Sequence, residues 1–219
     1  MRLILIRHGQ TTSNVLGALD TDVPGADLTD LGREQAAALP EALADESIER
    51  IFVSTLVRTQ QTAAPLANAL GIVPIVRDGL REVEAGDLEM RSDRESVQAY
   101  LATFIAWAAE DYDTRMPGAE SGNEAFTRFD SVVAEAVASG LQTVAIVSHG
   151  AMLRYWVARA TTNVDAEYVS THDLTNTGVV IVSGSPSEGW FTESWTGQAI
   201  GGPAVTDLTA DGPAADALR

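Results

Sequence analysis

The chain has 219 residues, of which 45% are hydrophobic, and a formal net charge of −17. This acidity excludes nucleic acid and anionic membrane surfaces as partners, because both bind through basic patches. The absence of cysteine excludes disulfides, thiolate catalysis and cysteine-ligated zinc.

Strand and helix patterns alternate along the chain. Short apolar runs bounded by turn signals predict buried strands, at residues 3–6, 51–53, 72–76, 144–147, 179–182 and 190–195. Helical patterns cover residues 30–39, 56–70, 96–112, 123–138 and 151–159. This alternation predicts an α/β fold, a three-layer α/β/α sandwich with a central, mostly parallel sheet.

Cap and breaker residues set several of these boundaries. Thr29 is expected to be the N-cap of the first long helix, and Pro40 to kink or end that helix early. Gly71 suits the position after the second helix, and Pro74 places its strand near a sheet edge.

The length suits a single domain, expected over residues 1–200 and followed by a Gly/Pro/Ala-rich tail over residues 201–219. No apolar run approaches the roughly 20 residues of a membrane helix. The early apolar run at residues 3–6 is too short for a secretory signal. We therefore expect a cytoplasmic protein.

Two predicted strands end in histidine. Arg-His-Gly at residues 7–9 follows the first strand, and Ser-His-Gly at residues 148–150 follows the fourth. In open α/β sheets, ligands bind at the carboxyl ends of strands. Gly9 would allow the backbone to approach a ligand closely, and the hydroxyls and amides of residues 10–14 would donate to an oxyanion. These features predict an anion pocket that contains a histidine.

An arginine and an acidic loop complete the constellation. Arg58 lies in the first turn of a predicted helix, where free amides and the helix dipole attract anions. All fourteen cations of the chain are arginines, whose planar fork matches phosphate oxygens. The loop at residues 80–89 then supplies several carboxylates.

Together these motifs resemble the histidine phosphatase superfamily, also called phosphoglycerate mutase-like proteins. The resemblance covers about residues 2 to 184, and its motif positions are Arg7, His8, Gly9, Asn14, Arg58, Leu80, Glu82, Gly86, Glu89, Ser148, His149, Gly150, Asn176, Thr177 and Gly178. It implies the fold of that family and chemistry through a phosphohistidine, with no metal and no cofactor.

The resemblance also implies roles for the site residues. His8 would be the nucleophile, and two neighbouring guanidiniums would lower its pKa and keep it neutral. Arg7, Arg58 and His149 would stabilise charge on the transferring phosphoryl group. The expected phosphate- or substrate-binding residues are Arg7, Ser13, Asn14, Arg58, His149 and Gly150.

Glu82 is expected to protonate the leaving oxygen and then to activate water. Glu84, Asp87 and Glu89 crowd the same loop, so the sequence leaves open which carboxylate serves. Further along, Tyr100, Phe104 and Trp107 have helical spacing that favours core over substrate pocket. His172 is expected to be structural or to face the rim.

The segment over residues 90–128 is expected to be a helical cap over the site. It carries only a few scattered arginines, whereas the related mutases hold their substrate with a longer, basic insertion. We therefore expect a metal-independent phosphomonoesterase, a histidine acid-type phosphatase, acting on a small phosphorylated metabolite. The alternatives are a cofactor-dependent phosphoglycerate mutase, a non-catalytic phosphate-binding module and a metal hydrolase built on His8, His149 and nearby carboxylates. The sequence leaves open the substrate and the oligomeric state, a homodimer included.

Overall fold

The computed structural model describes residues 1–207 and 212–213. In this part of the chain, the strands form one mixed six-stranded sheet. The strands are β1 (Arg2–Arg7), β2 (Arg50–Val53), β3 (Ile75–Val76), β4 (Thr143–Ser148), β5 (Val179–Ser185) and β6 (Gly189–Thr196). Their order is β3-β2-β4-β1-β5-β6; the first four are parallel, and β5 pairs antiparallel with both β1 and β6.

Helices cover both faces of the sheet. They are α1 (Thr12–Leu16), α2 (Asp30–Ala42), α3 (Val57–Leu70), α4 (Arg94–Ala108), α5 (Gly122–Ala138), α6 (Gly150–Ala160) and α7 (Ala166–Thr171). Leu3 and Leu5 of β1 face an apolar cluster that includes α4, α5 and α6. Ile4 and Ile6 face a second cluster with α2 and α3. Because successive strand residues point to opposite faces, β1 joins the two cores, and the predicted three-layer α/β fold is confirmed.

The sheet brings the two histidine-bearing strand ends side by side. β1 and β4 pair in parallel with Arg7 opposite Ser148. The ladder continues one residue further, since the backbone N–H of His8 donates to the carbonyl of Ser148 at 3.0 Å. His8 and His149 therefore leave the sheet at the same edge, where ligands bind in folds of this kind.

Several predicted boundaries differ from the observed ones. Helix α2 continues past Pro40 to Ala42, so proline does not end it there. Leu39, just before the proline, is fully buried in the sheet-facing core, and this packing offsets the loss of one helical hydrogen bond. Strand β3 lies at the sheet edge, as Pro74 predicts, but has two residues instead of five.

Other elements have little apolar pattern from which to predict them. The short helices α1 and α7 were not predicted, and α4 ends at Ala108 instead of continuing to residue 112. Thr29 caps α2 and Gly71 ends α3 in the left-handed conformation, both as predicted.

The end of the described chain packs against α2 and the loop after β1. Gln35 donates from Nε2 to the carbonyl of Val205 at 2.8 Å, and Gln10 donates from Nε2 to Oδ2 of Asp207 at 3.2 Å. Of the predicted tail over residues 201–219, positions 208–211 and 214–219 lie outside the described residues. No helix in the described ranges is long and apolar enough to cross a membrane.

Candidate active site

His8 is held by its backbone and by one ring nitrogen. Its carbonyl accepts from the backbone N–H of Thr177 at 3.2 Å and from Nδ2 of Asn176 at 3.0 Å. Its ring Nδ1 lies 2.8 Å from the carbonyl oxygen of Gly9. Because a carbonyl can only accept, Nδ1 carries the proton in this contact. In the neutral ring, Nε2 then keeps its lone pair and is the nucleophilic atom.

The surroundings of His8 favour the neutral ring. Burial lowers the pKa of His8 well below its ordinary value, and the charges of Arg58 and then Arg7 lower it further. The sequence predicts the direction of this pKa shift through the two guanidiniums. The structure shows that desolvation is the larger cause, because His8 is only 4% exposed.

Two buried guanidiniums flank the imidazole. Arg7 is the last residue of β1 and donates from Nη1 to the carbonyl of Leu174 at 2.7 Å. Arg58, at the second position of α3, donates from Nη2 to the carbonyl of Asp20 at 2.8 Å. Within the described ranges, Nε and Nη1 of Arg58 are buried and have no hydrogen-bond partner. A buried donor left in this state costs about 1–3 kcal/mol, which an anionic oxygen would offset.

His149 lies behind His8, with ring centroids 5.2 Å apart. Its Nε2 is 3.0 Å from the hydroxyl of Ser54, and its buried Nδ1 has no partner among the described residues. If Ser54 donates to Nε2, Nδ1 carries the proton and can donate to a phosphoryl oxygen. Burial, followed by the charges of Arg58 and His8, lowers the pKa of His149 well below its ordinary value.

The carboxylate of Glu82 is placed at the start of α6. It accepts from the backbone N–H groups of Val83, Ala151 and Met152 at 3.0, 3.1 and 2.8 Å. The last two belong to the first turn of α6, whose N–H groups have no partner within the helix. The ends of β1 and β4 thus present histidines, and the loop after β3 presents one oriented carboxylate beside them.

These side chains line a small cavity. Its described walls are Arg7, His8, Asn14, Ala18, Leu19, Asp20, Thr21, Arg58, Glu82, Tyr100 and Pro213. The cavity has a volume of about 40 Å³. One water molecule needs about 10–15 Å³ of such space, so the cavity has room for a few waters or one phosphoryl group.

Comparison with known proteins identifies the family. The family model described as histidine phosphatase superfamily (branch 1) matches residues 3–196. The chain belongs to the histidine phosphatase superfamily. The resemblance read from the motifs at residues 7–9, 58 and 148–150 is therefore confirmed.

The relatives of this histidine phosphatase superfamily member include phosphatases. The adenosylcobalamin/alpha-ribazole phosphatase of Salmonella typhimurium is 32% identical over 164 residues, covering 74% of this chain and 80% of that protein. A solved structure of mycobacterial glucosyl-3-phosphoglycerate phosphatase with VO3 aligns with a TM-score of 0.75 and 29% identity, covering 89% of this chain and 98% of that chain.

A longer relative comes from Mycobacterium tuberculosis. The PE-PGRS family protein PE_PGRS11 is 38% identical over 213 residues, which is 90% of this chain but 36% of that protein. The chain thus spans about a third of that relative.

The structure places most of the predicted site residues of this family member at one cavity. Arg7, His8, Asn14, Arg58 and Glu82 line it. The Oδ1 atom of Asn14 accepts from the backbone N–H of Thr11 at 3.0 Å and from Nδ2 of Asn176 at 3.3 Å. Because Oδ1 faces these two donors, the Nδ2 atom of Asn14 points away from them.

Three predicted residues lie outside this lining. The Ser13 hydroxyl donates to Oδ2 of Asp20 at 2.6 Å, so its proton is engaged by a wall residue. His149 is behind His8, and Gly150 begins α6. Gly9 approaches a protein neighbour instead of a ligand: a methyl group there would lie 2.7 Å from the carbonyl oxygen of Gly32.

The competing carboxylates of the acidic loop have other contacts. Glu84 pairs with Arg81 at 2.7 Å, and Glu89 accepts from the backbone N–H of Thr21 at 2.9 Å. Asp87 lies against Gly118, on the side of the loop away from the cavity lining. Glu82 is therefore the member of this loop that lines the cavity.

Sequence reasoning missed part of the rim and the support behind Glu82. Tyr100 is buried in the core, as predicted, but it also lines the cavity; its hydroxyl donates to the carbonyl of Val83 at 3.0 Å. Arg128 pairs with Glu120 at 2.6 Å and donates to the carbonyl of Glu82 at 2.8 Å. No local motif marks these contacts, since they join residues far apart in sequence.

The described residues contain no group of three or more His, Asp or Glu side chains placed to hold a metal ion. A metal hydrolase built on His8 and His149 would need further ligands close to both rings. The carboxylate of Glu82 is instead engaged with three backbone N–H groups.

Proposed function

We propose that this protein is a phosphomonoesterase that hydrolyses a small phosphorylated metabolite through a phosphohistidine on His8, without a metal ion. One observation carries the proposal. A neutral, buried histidine presents Nε2 at a cavity lined by Arg58, whose buried Nε and Nη1 have no hydrogen-bond partner among the described residues. A phosphoryl group would satisfy both the nucleophile and the donors.

In the first step, Nε2 of His8 attacks phosphorus, and the bond from phosphorus to the ester oxygen breaks. Glu82 in its protonated form gives its proton to that oxygen, so the alcohol leaves neutral. Arg7, Arg58 and His149 stabilise the charge on the equatorial oxygens.

In the second step, the Glu82 carboxylate takes a proton from water as the water oxygen attacks the phosphohistidine. The phosphorus–nitrogen bond breaks, its electron pair returns to Nε2 of His8, and phosphate is released. The sum of the two steps is hydrolysis of the monoester.

The charges around the cavity favour hydrolysis over transfer between two positions of a bound phosphoglycerate. A mutase must hold a carboxylate and a second phosphate with fixed cations. Here Arg91 pairs with Asp93 and Arg115 pairs with Glu124, all on exposed side chains. The rim instead presents Asp20 beside the phosphate-binding Arg58.

The named relatives suggest where to begin a substrate search. They are an adenosylcobalamin/alpha-ribazole phosphatase and a glucosyl-3-phosphoglycerate phosphatase. The substrates of these two enzymes are the first compounds of a phosphometabolite panel ranked by kcat/KM.

We also propose a single catalytic domain over residues 1–200, capped by residues 90–128 and working in the cytoplasm. Support for the cap comes from Tyr100 of α4, which lines the cavity. The net charge of −17 favours a small phosphorylated substrate over nucleic acid or an anionic membrane as partner. A homodimer remains compatible with all of these features.

The proposal is tested with p-nitrophenyl phosphate and with the metabolite panel, both in the presence of EDTA. We expect release of phosphate that EDTA leaves unchanged and that His8→Ala abolishes. Absence of hydrolysis across the panel would contradict the proposal. Interconversion of phosphoglycerates that depends on 2,3-bisphosphoglycerate, without net phosphate release, would indicate a mutase instead.

A further inference from the structure

Two residues near the end of the chain lie at the catalytic cavity. Pro213 is one of its walls, together with residues that sequence and family already connect with phosphate. Gly212 lies directly against Asn14: a methyl group at this glycine would be 2.6 Å from Nδ2 and 3.4 Å from Cα of Asn14. No side chain can be added at Gly212 unless Asn14 or the segment moves.

The backbone at this point also requires glycine. Gly212 has φ +82°, in the region that L side chains rarely adopt. The close approach to Asn14 and the positive φ therefore each require glycine at position 212. Two independent requirements for the same residue indicate that Gly212 makes a defined contact with the cavity wall.

The preceding chain is anchored to the loop that carries His8. Ala199 is buried, and Ile200 packs against the apolar core that α2 and α3 share. Val205 and Asp207 then accept hydrogen bonds from Gln35 and Gln10. Gln10 lies two residues after His8, so the end of the chain is tied to the same loop as the nucleophile.

We infer that Gly212 and Pro213 form a wall that limits the size of the leaving group, so that the site selects compact monoesters. This inference rests on the proposed phosphomonoesterase function. A cavity of about 40 Å³ holds little beyond the phosphoryl group, so the leaving group must pass along the rim. Leu19 and Tyr100 of that rim belong to the packed core, whereas Pro213 belongs to a segment attached through side-chain hydrogen bonds.

The chain offers a matched pair of variants to test this wall. Gly212→Ala introduces a methyl group that collides with Nδ2 of Asn14, so that either the segment or the Asn14 side chain must move and the wall is disturbed. Gly202→Ala is the control, since Gly202 has φ +80° but no atom within 4 Å of an added methyl group. Both substitutions carry a similar backbone penalty, and only the first disturbs the cavity. A truncation after Asp207 removes the wall altogether.

Binding of methylphosphonate and of 1-naphthylmethylphosphonate is measured by calorimetry, which does not depend on turnover. In Gly212→Ala and in the truncated chain, the affinity for the large phosphonate relative to the small one should rise about tenfold. Gly202→Ala should keep the wild-type ratio. The kcat/KM ratio of 1-naphthylmethyl phosphate to methyl phosphate should follow the same order.

An unchanged ratio in both Gly212→Ala and the truncated chain would overturn the inference. An equal change in Gly202→Ala would also overturn it, because backbone strain would then be the cause. If the binding ratios shift as expected but no monoester is hydrolysed, the wall stands and the proposed function fails. The two ideas are therefore tested separately.

Discussion

The floor and the rim of the catalytic cavity are built in different ways. The floor comprises Arg7 and His8 at the end of β1, Arg58 in the first turn of α3 and Glu82, which is held by the N-terminus of α6; His149 lies behind His8. Each is almost fully buried. The rim, which includes Asp20, Thr21, Tyr100 and Pro213, comes from a loop, helix α4 and a segment near the end of the chain.

We therefore expect the floor to carry out the chemistry and the rim to determine which substrates are accepted. Floor residues are positioned by the sheet ladder and by helix N-termini, so short motifs are enough to place them. Rim residues are positioned by contacts between segments far apart in sequence, as with Gly212 against Asn14. Substitutions in the floor should therefore reduce catalysis for every substrate, whereas rim substitutions should change the ranking of substrates.

The largest effect is expected at the nucleophile. His8→Asn should lower kcat/KM at least about 10⁴-fold for every substrate, because no other group replaces the attacking Nε2. His172→Asn is the matched control, since His172 is exposed and lies away from the cavity. Its ring stacks on the ring of Tyr168, with the two ring centroids 3.7 Å apart. Steady-state kinetics of both variants check this prediction. Comparable losses in the two variants would contradict the assignment.

The next largest effect concerns the proton donor. Glu82→Gln should lower kcat about 10³-fold for alkyl phosphates and less for p-nitrophenyl phosphate, whose leaving group needs no proton. Glu84→Gln should change kcat little, because Glu84 pairs with Arg81 at 2.7 Å instead of lining the cavity. A greater loss of kcat in Glu84→Gln than in Glu82→Gln would show that Glu84 is the proton donor.

Arg58 should contribute through its charge and its buried N–H donors. Arg58→Ala should lower kcat/KM about 10²- to 10³-fold, since it removes a cation from the cavity lining together with two buried nitrogens that have no hydrogen-bond partner in the described part of the chain. Arg77→Ala removes an exposed arginine that pairs with Glu135 at 2.6 Å. It should leave kinetics unchanged, because an exposed ion pair far from the cavity contributes little. Equal kcat/KM values in wild type and Arg58→Ala would show that Arg58 does not contribute to catalysis.

The smallest effect links burial of the floor to stability. Burial lowers the pKa of His8 and His149 well below the value of 6.5 that an unfolded chain gives them. The unfolded state therefore binds more protons below pH 6.5, and the free energy of unfolding falls as the pH drops. The slope should be up to about 1.4 kcal/mol per pH unit for each histidine.

Urea denaturation between pH 7 and 5 measures this slope. His149→Asn should flatten it, because the substitution removes one of the two buried rings. A slope that does not respond to His149→Asn would show that the buried ring is not a source of the acid sensitivity.

Much of the floor could be predicted from sequence because its signals are local. The apolar run before Arg7 predicts a buried strand, and His8 follows where that strand ends. Thr29 and Gly71 mark helix ends through their own conformations. The sequence also predicts the direction of the pKa shift of His8, but not its main cause, because burial is a property of the whole fold.

The rim could not be predicted in the same way. Tyr100 has the spacing of a core residue and is one, yet it also lines the cavity. The Ser13 hydroxyl donates a hydrogen bond to Asp20, and no sequence pattern predicts this contact. The wall at Pro213 depends on anchors such as the contact between Gln35 and Val205, which joins residues far apart in sequence.

The central claim is that phosphate passes through His8. Wild-type protein and Glu82→Gln are mixed rapidly with p-nitrophenyl phosphate, whose leaving group needs no proton from Glu82. The samples are quenched in alkali, where phosphohistidine is stable, and mapped by peptide mass spectrometry. Phosphate should be found on His8 in the wild type, should accumulate in Glu82→Gln because water is no longer activated, and should be absent in His8→Asn. Turnover with no phosphate on His8, or with phosphate on another side chain, would contradict the account.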